Sequence, residues 1–109
     1  MPGVEKRPEI SVVVPVKNGL PLIRRCLEGI LSQEGVNGLE VIVIDSGSTD
    51  GTWDVLAEYP VKRHQIDSSD FDHGETRNLG VRLANGDYVA MTVADAWPTD
   101  RHWLARMRN

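Results

Sequence analysis

The sequence predicts an α/β protein with a mainly parallel sheet flanked by helices. Three observations lead there. Strand-like and helix-like segments alternate along all 109 residues. Two β-branched runs, Ile10–Val16 and Leu39–Asp45, have the composition of strands buried on both faces. Each ends abruptly in small, polar residues that tolerate tight backbone turns, and a helical pattern then begins. Such alternation implies right-handed crossovers and a Rossmann-like layering.

Taken in order, residues 1–8 read as a polar lead-in. The run 10–16 is the first strand, with Pro15 near its end because proline donates no backbone hydrogen bond. Lys17-Asn18-Gly19 is a turn. From Leu20, the apolar positions Leu20, Ile23, Cys26, Leu27, Ile30 and Leu31 recur at helical spacing, with Pro21 in the first turn. Gln33-Glu34-Gly35 ends that helix, and 39–45 is the second strand. A second helix is expected from about Asp50 to Glu58, with Trp53, Leu56 and Ala57 inward, and Pro60 stops it. Val61–Ile66 is a short, polar strand suited to a sheet edge. A loop, 67–74, leads to a third helix over 75–84, for which Asn85-Gly86 fits a C-terminal cap. Residues 87–93 form a fourth strand, 94–98 a turn, and Thr99 or Asp100 caps a last helix.

Composition narrows the function. The net charge is −4, and basic residues form no stripe, so no nucleic-acid surface is expected. No apolar run is long enough to span a bilayer, and the N-terminus has no signal-peptide core; a cytoplasmic location fits. Cys26 is the sole cysteine, which excludes an internal disulfide and zinc-knuckle spacing. On the apolar helix face it reads as a small buried thiol.

In a parallel sheet the loops after the strands open on one side, where open α/β sheets bind ligands. Here those loops carry Pro15, Lys17 and Asn18; Asp45 with Ser46-Gly47-Ser48; the acid-rich loop ending in His73-Gly74-Glu75-Thr76-Arg77-Asn78; and Asp95. Carboxylates suit a diphosphate only through a bridging Mg²⁺ or Mn²⁺. Arg77 could neutralise phosphate or hold a base carbonyl. Asp45 could accept from a base N–H or a ribose hydroxyl. This set describes a metal–nucleotide-diphosphate site. Plainer roles stand beside it: Asp45 starting a turn, Ser48 to Asp50 capping a helix, Arg77 pairing with a neighbouring acid. Neither a Walker P-loop nor a Gly-x-Gly-x-x-Gly motif is present.

Spaced motifs across about residues 10–105 resemble family 2 inverting glycosyltransferases of the GT-A fold. They are Ser11–Asn18, Glu40–Thr52, Asn78-Leu79-Gly80, Ala84–Ala90 and Asp95-Ala96-Trp97-Pro98. The segment Phe71–Asn78 resembles the His-Gly-x-Thr-Arg-Asn variant of rhamnosyltransferase-like members. The resemblance implies the N-terminal portion of a GT-A fold. It implies a nucleoside-diphosphate sugar donor, a Mg²⁺ or Mn²⁺ ion, and transfer with inversion to a saccharide or lipid-linked acceptor, as in cell-wall or polysaccharide biosynthesis. By resemblance, Pro15, Val16 and Lys17 line the nucleobase pocket, Asp45 and Ser46 contact base or ribose, and Arg77 reaches base or diphosphate. Asp95 matches the metal-holding acid of the family's Asp-x-Asp. Two departures stand out: Val93 replaces the first acid of that triplet, and the chain stops at Asn109, before the family's general base. The expectation is therefore a single, truncated donor-binding domain over 1–109. A non-catalytic nucleotide-binding or assembly module on the same fold is the alternative. A nucleotidyltransferase-like domain is a third, but lacks its usual Gly-rich basic loop. A sheet edge or apolar helix face left exposed would favour self-association.

Overall fold

A computed structural model describes residues 7–70, 72–94 and 100–108. The elements are β1 (Ile10–Val16), α1 (Leu22–Leu31), β2 (Leu39–Asp45), α2 (Thr52–Leu56), β3 (Lys62–Gln65), a 3₁₀ turn (Ser68–Asp70), α3 (His73–Leu83), β4 (Tyr88–Met91) and α4 (Trp103–Arg108). The sheet order is β3-β2-β1-β4, and every pairing is parallel. The chain thus builds outward from β1 to β3 and then crosses to the other side of β1. That reversal makes the carboxyl ends of β1 and β4 a topological switch point. Val16 pairs with Asp45 and Asp45 with Gln65, so three strands end flush.

The β-branched runs lie where both faces are covered. Ile10, Val12, Val14, Val16, Val41 and Val43 form one core with Ile23, Cys26, Leu27 and Ile30 of α1, Val55 and Leu56 of α2, and Leu104 of α4. On the opposite face Val13, Ile42 and Ile44 pack with Leu79 and Leu83 of α3 and with Met91. Each such side chain contributes about 1.5–3 kcal/mol by leaving water. Cys26 is fully buried, as its place in the helical stripe predicts. β3 lies at an edge with all four residues exposed, which accounts for its polar sequence.

Local boundaries depart from the sequence reading in physically simple ways. α1 begins at Leu22, with Pro21 as its N-cap rather than inside its first turn. α2 is only five residues long, and Val55 rather than Ala57 joins Leu56 in the core. α3 starts two residues early because the Asp72 carboxylate accepts from the Glu75 N–H at 3.0 Å and caps it. β4 ends at Met91, two residues before the expected limit. Asn85-Gly86 is not a left-handed cap. Ala84 leaves α3 in an extended conformation, and a Cβ on Gly86 would lie 2.6 Å from the Ser11 backbone nitrogen. Glycine is needed there for close approach, not for an unusual angle.

That approach belongs to a polar knot at the amino end of the sheet. Glu40 is buried inside β2. Its carboxylate accepts from the Ser11 hydroxyl at 2.6 Å, the Asn85 N–H at 2.8 Å and the Asn85 side-chain amide at 2.9 Å, and it pairs with Lys62. The Ser11 hydroxyl in turn accepts from the Gly86 N–H at 2.8 Å. Burial pushes the Glu40 carboxyl up, but the bonds from Lys62, Ser11 and Asn85 outweigh it and hold it at about 2.

Candidate functional site

At the carboxyl edge, β2 runs into Asp45 and then a loop that folds back on its own strand end. Asp45 has no solvent exposure. Its Oδ1 accepts from the Gly47 N–H at 2.9 Å and the Ser48 N–H at 2.8 Å. Its Oδ2 is buried with no hydrogen-bond partner among the described residues. Gly47 adopts φ 95°, a left-handed angle that brings its N–H round to the carboxylate. Ser46 is buried too; its N–H donates to the Val16 carbonyl at 3.0 Å and its hydroxyl to the same oxygen at 3.4 Å.

The turn after β1 is clasped to this loop. The Asn18 N–H donates to Ser48 Oγ at 2.8 Å, and Asn18 Oδ1 accepts from the Thr49 N–H at 2.7 Å. The Gly19 N–H donates to Thr52 Oγ1 at 3.0 Å and the Leu20 N–H to Asp50 Oδ2 at 3.2 Å. The Thr52 hydroxyl, bonded to Asp50, helps hold that carboxyl below its ordinary range. So Ser48 to Asp50 do brace a helix start, as the plainer reading had it, and they also lock two loops together. The sequence displayed these small polar residues without showing that they pair across loops.

The third loop closes on the same edge. A Cβ placed on Gly47 would lie 3.3 Å from Ser68 Cβ. A cleft of about 470 Å³ opens there, lined by Gly47, Gln65, Ile66, Asp67 and Ser68. Bonds from the Ser69 N–H and hydroxyl hold the Asp67 carboxyl below its ordinary range. Thr76, in the first turn of α3, is buried, and its hydroxyl has no partner among the described residues. Beside it lies a second cleft of about 390 Å³ that shares Gln65, Ile66 and Asp67 with the first. The fourth loop also reaches this edge: Ala94 Cβ is 3.8 Å from where a Gly19 Cβ would stand.

The residues singled out from the sequence fall as follows. Pro15 is half-buried, Lys17 exposed, and Val16 a core side chain whose carbonyl serves Ser46. Asp45 and Ser46 are buried at the strand end. Arg77 is exposed in α3, with no ion-pair partner among the described side chains. Asp95 lies outside the described residues, as does the His73 side chain. Among the described residues no three His, Cys, Asp or Glu converge as a metal cluster, and no helix is long and apolar enough to cross a membrane.

Similarity to known proteins agrees with this architecture. Succinoglycan biosynthesis protein ExoO of Rhizobium meliloti is 34% identical over 96 residues, covering 86% of this chain and 27% of that protein. Glycosyltransferase GlyA of Streptococcus pneumoniae is 32% identical over 92 residues, covering 82% and 13%. Among solved structures, S. aureus TarS superposes with a TM-score of 0.79 at 26% identity, over 92% of this chain and 31% of that one. A Pyrobaculum calidifontis mannosyltransferase, solved with GDP-Man and Mn²⁺, superposes at 0.73 with 32% identity over 92% and 31%. The chain thus spans less than a third of each of these four proteins. The fold is that of GT-A glycosyltransferases, and the family description Glycosyl transferase family 2 matches residues 11–109. The chain belongs to glycosyl transferase family 2.

Proposed function

We propose that this chain is the donor-binding domain of a nucleotide-sugar-dependent glycosyltransferase, one part of a longer enzyme. The observation that carries the proposal is Asp45: a buried carboxylate at the carboxyl edge, one oxygen bound by two backbone N–H groups and the other unpartnered among the described residues. A buried acceptor without a donor is costly, and a base N–H or ribose hydroxyl would relieve it. Because Oδ2 is buried, ligand entry requires the groups above it to shift.

Pro15, the Val16 backbone and Lys17 then flank the base, Ser46 holds the β2 loop in place, and Arg77 offers its exposed guanidinium to base or diphosphate. TarS has been solved with UDP-GlcNAc and the Pyrobaculum enzyme with GDP-Man and Mn²⁺, which favours a nucleoside-diphosphate sugar here. A Mg²⁺ or Mn²⁺ ion would be held by Asp95. The donor's phosphate oxygens would complete its shell, as hard cations allow. Such an ion stabilises the charge that grows on the departing nucleoside diphosphate. Transfer proceeds with inversion to an acceptor hydroxyl. The His73-Gly74-Glu75-Thr76-Arg77-Asn78 segment favours a rhamnosyltransferase-like subgroup. The name of ExoO, a succinoglycan biosynthesis protein, fits an acceptor of the saccharide class.

Calorimetric titration with UDP and with GDP, each with and without Mn²⁺, tests this reading. Metal-dependent binding is expected, reduced at least tenfold by Asp95→Ala (about 1.4 kcal/mol). Binding indifferent to both metal and substitution contradicts the metal role; no binding of either nucleotide contradicts the donor site.

A further inference from the structure

Two turns meet beside Asp45, and one residue ties them together. Among the described residues Asn18 is the one non-glycine with a left-handed backbone, at φ 51°. Asparagine tolerates that angle better than most side chains, though at some cost. Its hydrogen bonds to the β2 loop hold it there. The Asn18 N–H donates to Ser48 Oγ at 2.8 Å, and its Oδ1 accepts from the Thr49 N–H at 2.7 Å and the Thr49 hydroxyl at 3.4 Å. Ser48 faces both ways: its hydroxyl receives Asn18, while its own N–H donates to Asp45 Oδ1 at 2.8 Å. A line of bonds thus runs from the turn after β1, through Ser48, to the carboxylate at the end of β2. Asn18 itself has no hydrogen bond to Asp45 in that line, so it acts through the loop.

We infer that Asn18 is a positioning residue for nucleotide binding: its clasp on Ser48 and Thr49 sets the β1 turn, with Lys17, against the Asp45 carboxylate before the ligand arrives. The inference rests on the proposed donor site and adds the device that pre-forms it. The sheet alone does not supply that order. Its β1–β2 pairing ends at Val16 and Asp45, and the Ser46 N–H to Val16 carbonyl bond extends it by one step. Lys17 and Asn18 lie past that point and are exposed. The Gly19 and Leu20 N–H groups bond to Thr52 and Asp50, which anchors the far side of the turn to the start of α2. Asn18 is the contact that ties the turn to the stretch bonded to Asp45. A ligand touching both turns would otherwise have to order both as it binds, which weakens affinity. With the clasp closed, that order is already set when the protein folds.

Calorimetric titration of UDP and GDP with Mn²⁺, at high salt so that an added surface charge is screened, tests it. Asn18→Gly accepts the left-handed angle and deletes the side-chain acceptor. It should bind nucleotide about five- to tenfold more weakly than the parent, with unchanged circular dichroism. Asn18→Asp restores an acceptor oxygen for the Thr49 N–H and should bind within about threefold of the parent. Ser48→Ala removes the acceptor of the Asn18 N–H and should weaken binding by a factor similar to that of Asn18→Gly. The double variant should fall short of the product of the two single effects, because either change opens the same clasp. Amide hydrogen exchange reads the clasp without ligand: the Ser48 N–H should exchange faster in Asn18→Gly, although Asn18 does not bond to it. Undiminished binding by Asn18→Gly, no rescue by Asn18→Asp, fully multiplicative effects or unchanged Ser48 exchange overturns the inference and leaves the donor site standing. A parent chain that binds neither nucleotide overturns the donor reading, and this inference with it.

Discussion

Strand β2 buries two carboxylates five residues apart, and they live differently. Glu40, at the amino end, accepts from Ser11 and twice from Asn85 and pairs with Lys62; it is fully engaged. Asp45, at the carboxyl end, uses one oxygen to shape its loop and leaves the other without a donor among the described residues. The second unpartnered buried oxygen among the described side chains, on Thr76, also lies toward the carboxyl edge. One end of the sheet is saturated and the other is not. A saturated buried charge holds a fold together, whereas an unsaturated one is stabilised by whatever brings a donor.

The largest expected effect falls at the saturated end. Glu40→Ala strands the Ser11 hydroxyl and both Asn85 donors, and should destabilise the fold by about 3–4 kcal/mol in denaturant melts. Lys62 is well exposed, so its share of that loss is small. Denaturation with no change in midpoint would break the contrast.

The same group makes a pH prediction. The folded pKa of Glu40 is depressed from 4.5 to about 2. A depressed carboxylate contributes stability that is fully present above the unfolded value and lost as pH falls through the folded one. Roughly 3 kcal/mol should therefore disappear between about pH 5 and pH 2. Acid titration of Glu40→Gln should flatten that part of the profile; an unchanged slope would remove Glu40 from the account.

The smallest effect concerns Thr76. Valine keeps its shape and deletes the unpartnered hydroxyl, so Thr76→Val should leave stability unchanged or raise it by up to about 1 kcal/mol. A loss of more than that in thermal melts would mean the hydroxyl has a partner in solution and sharpen the map of the open edge.

Much of this was legible beforehand. The β-branched runs fixed β1 and β2 to the residue, because only strands covered on both faces can be so uniformly apolar. Asp45 at a strand end was readable from the break in that run. The Glu40 knot was not: a lone acid within a strand carries no sign of its partners, which come from Ser11, Lys62 and Asn85, distant in sequence. The misread Asn85-Gly86 has the same origin. Asn-Gly after a helix suggests a cap from local chemistry, but its geometry is set by Glu40 and Ser11 across the sheet. The clasp between the β1 and β2 loops escaped the sequence because small polar residues name no partner. Arg77 is placed on the helix that the sequence predicted, and Asp95 lies outside the described residues.

The most direct measurement is a paired titration of UDP and GDP, with Mn²⁺, into Asp45→Asn and Glu40→Gln, each alongside a denaturant melt. Asparagine keeps the acceptor for Gly47 and Ser48 but places an amide where the open oxygen stood. The account predicts that Asp45→Asn melts within about 1 kcal/mol of the parent yet binds nucleotide at least tenfold more weakly, while Glu40→Gln melts earlier and its folded fraction binds as before. Undiminished nucleotide binding by a folded Asp45→Asn chain would contradict it.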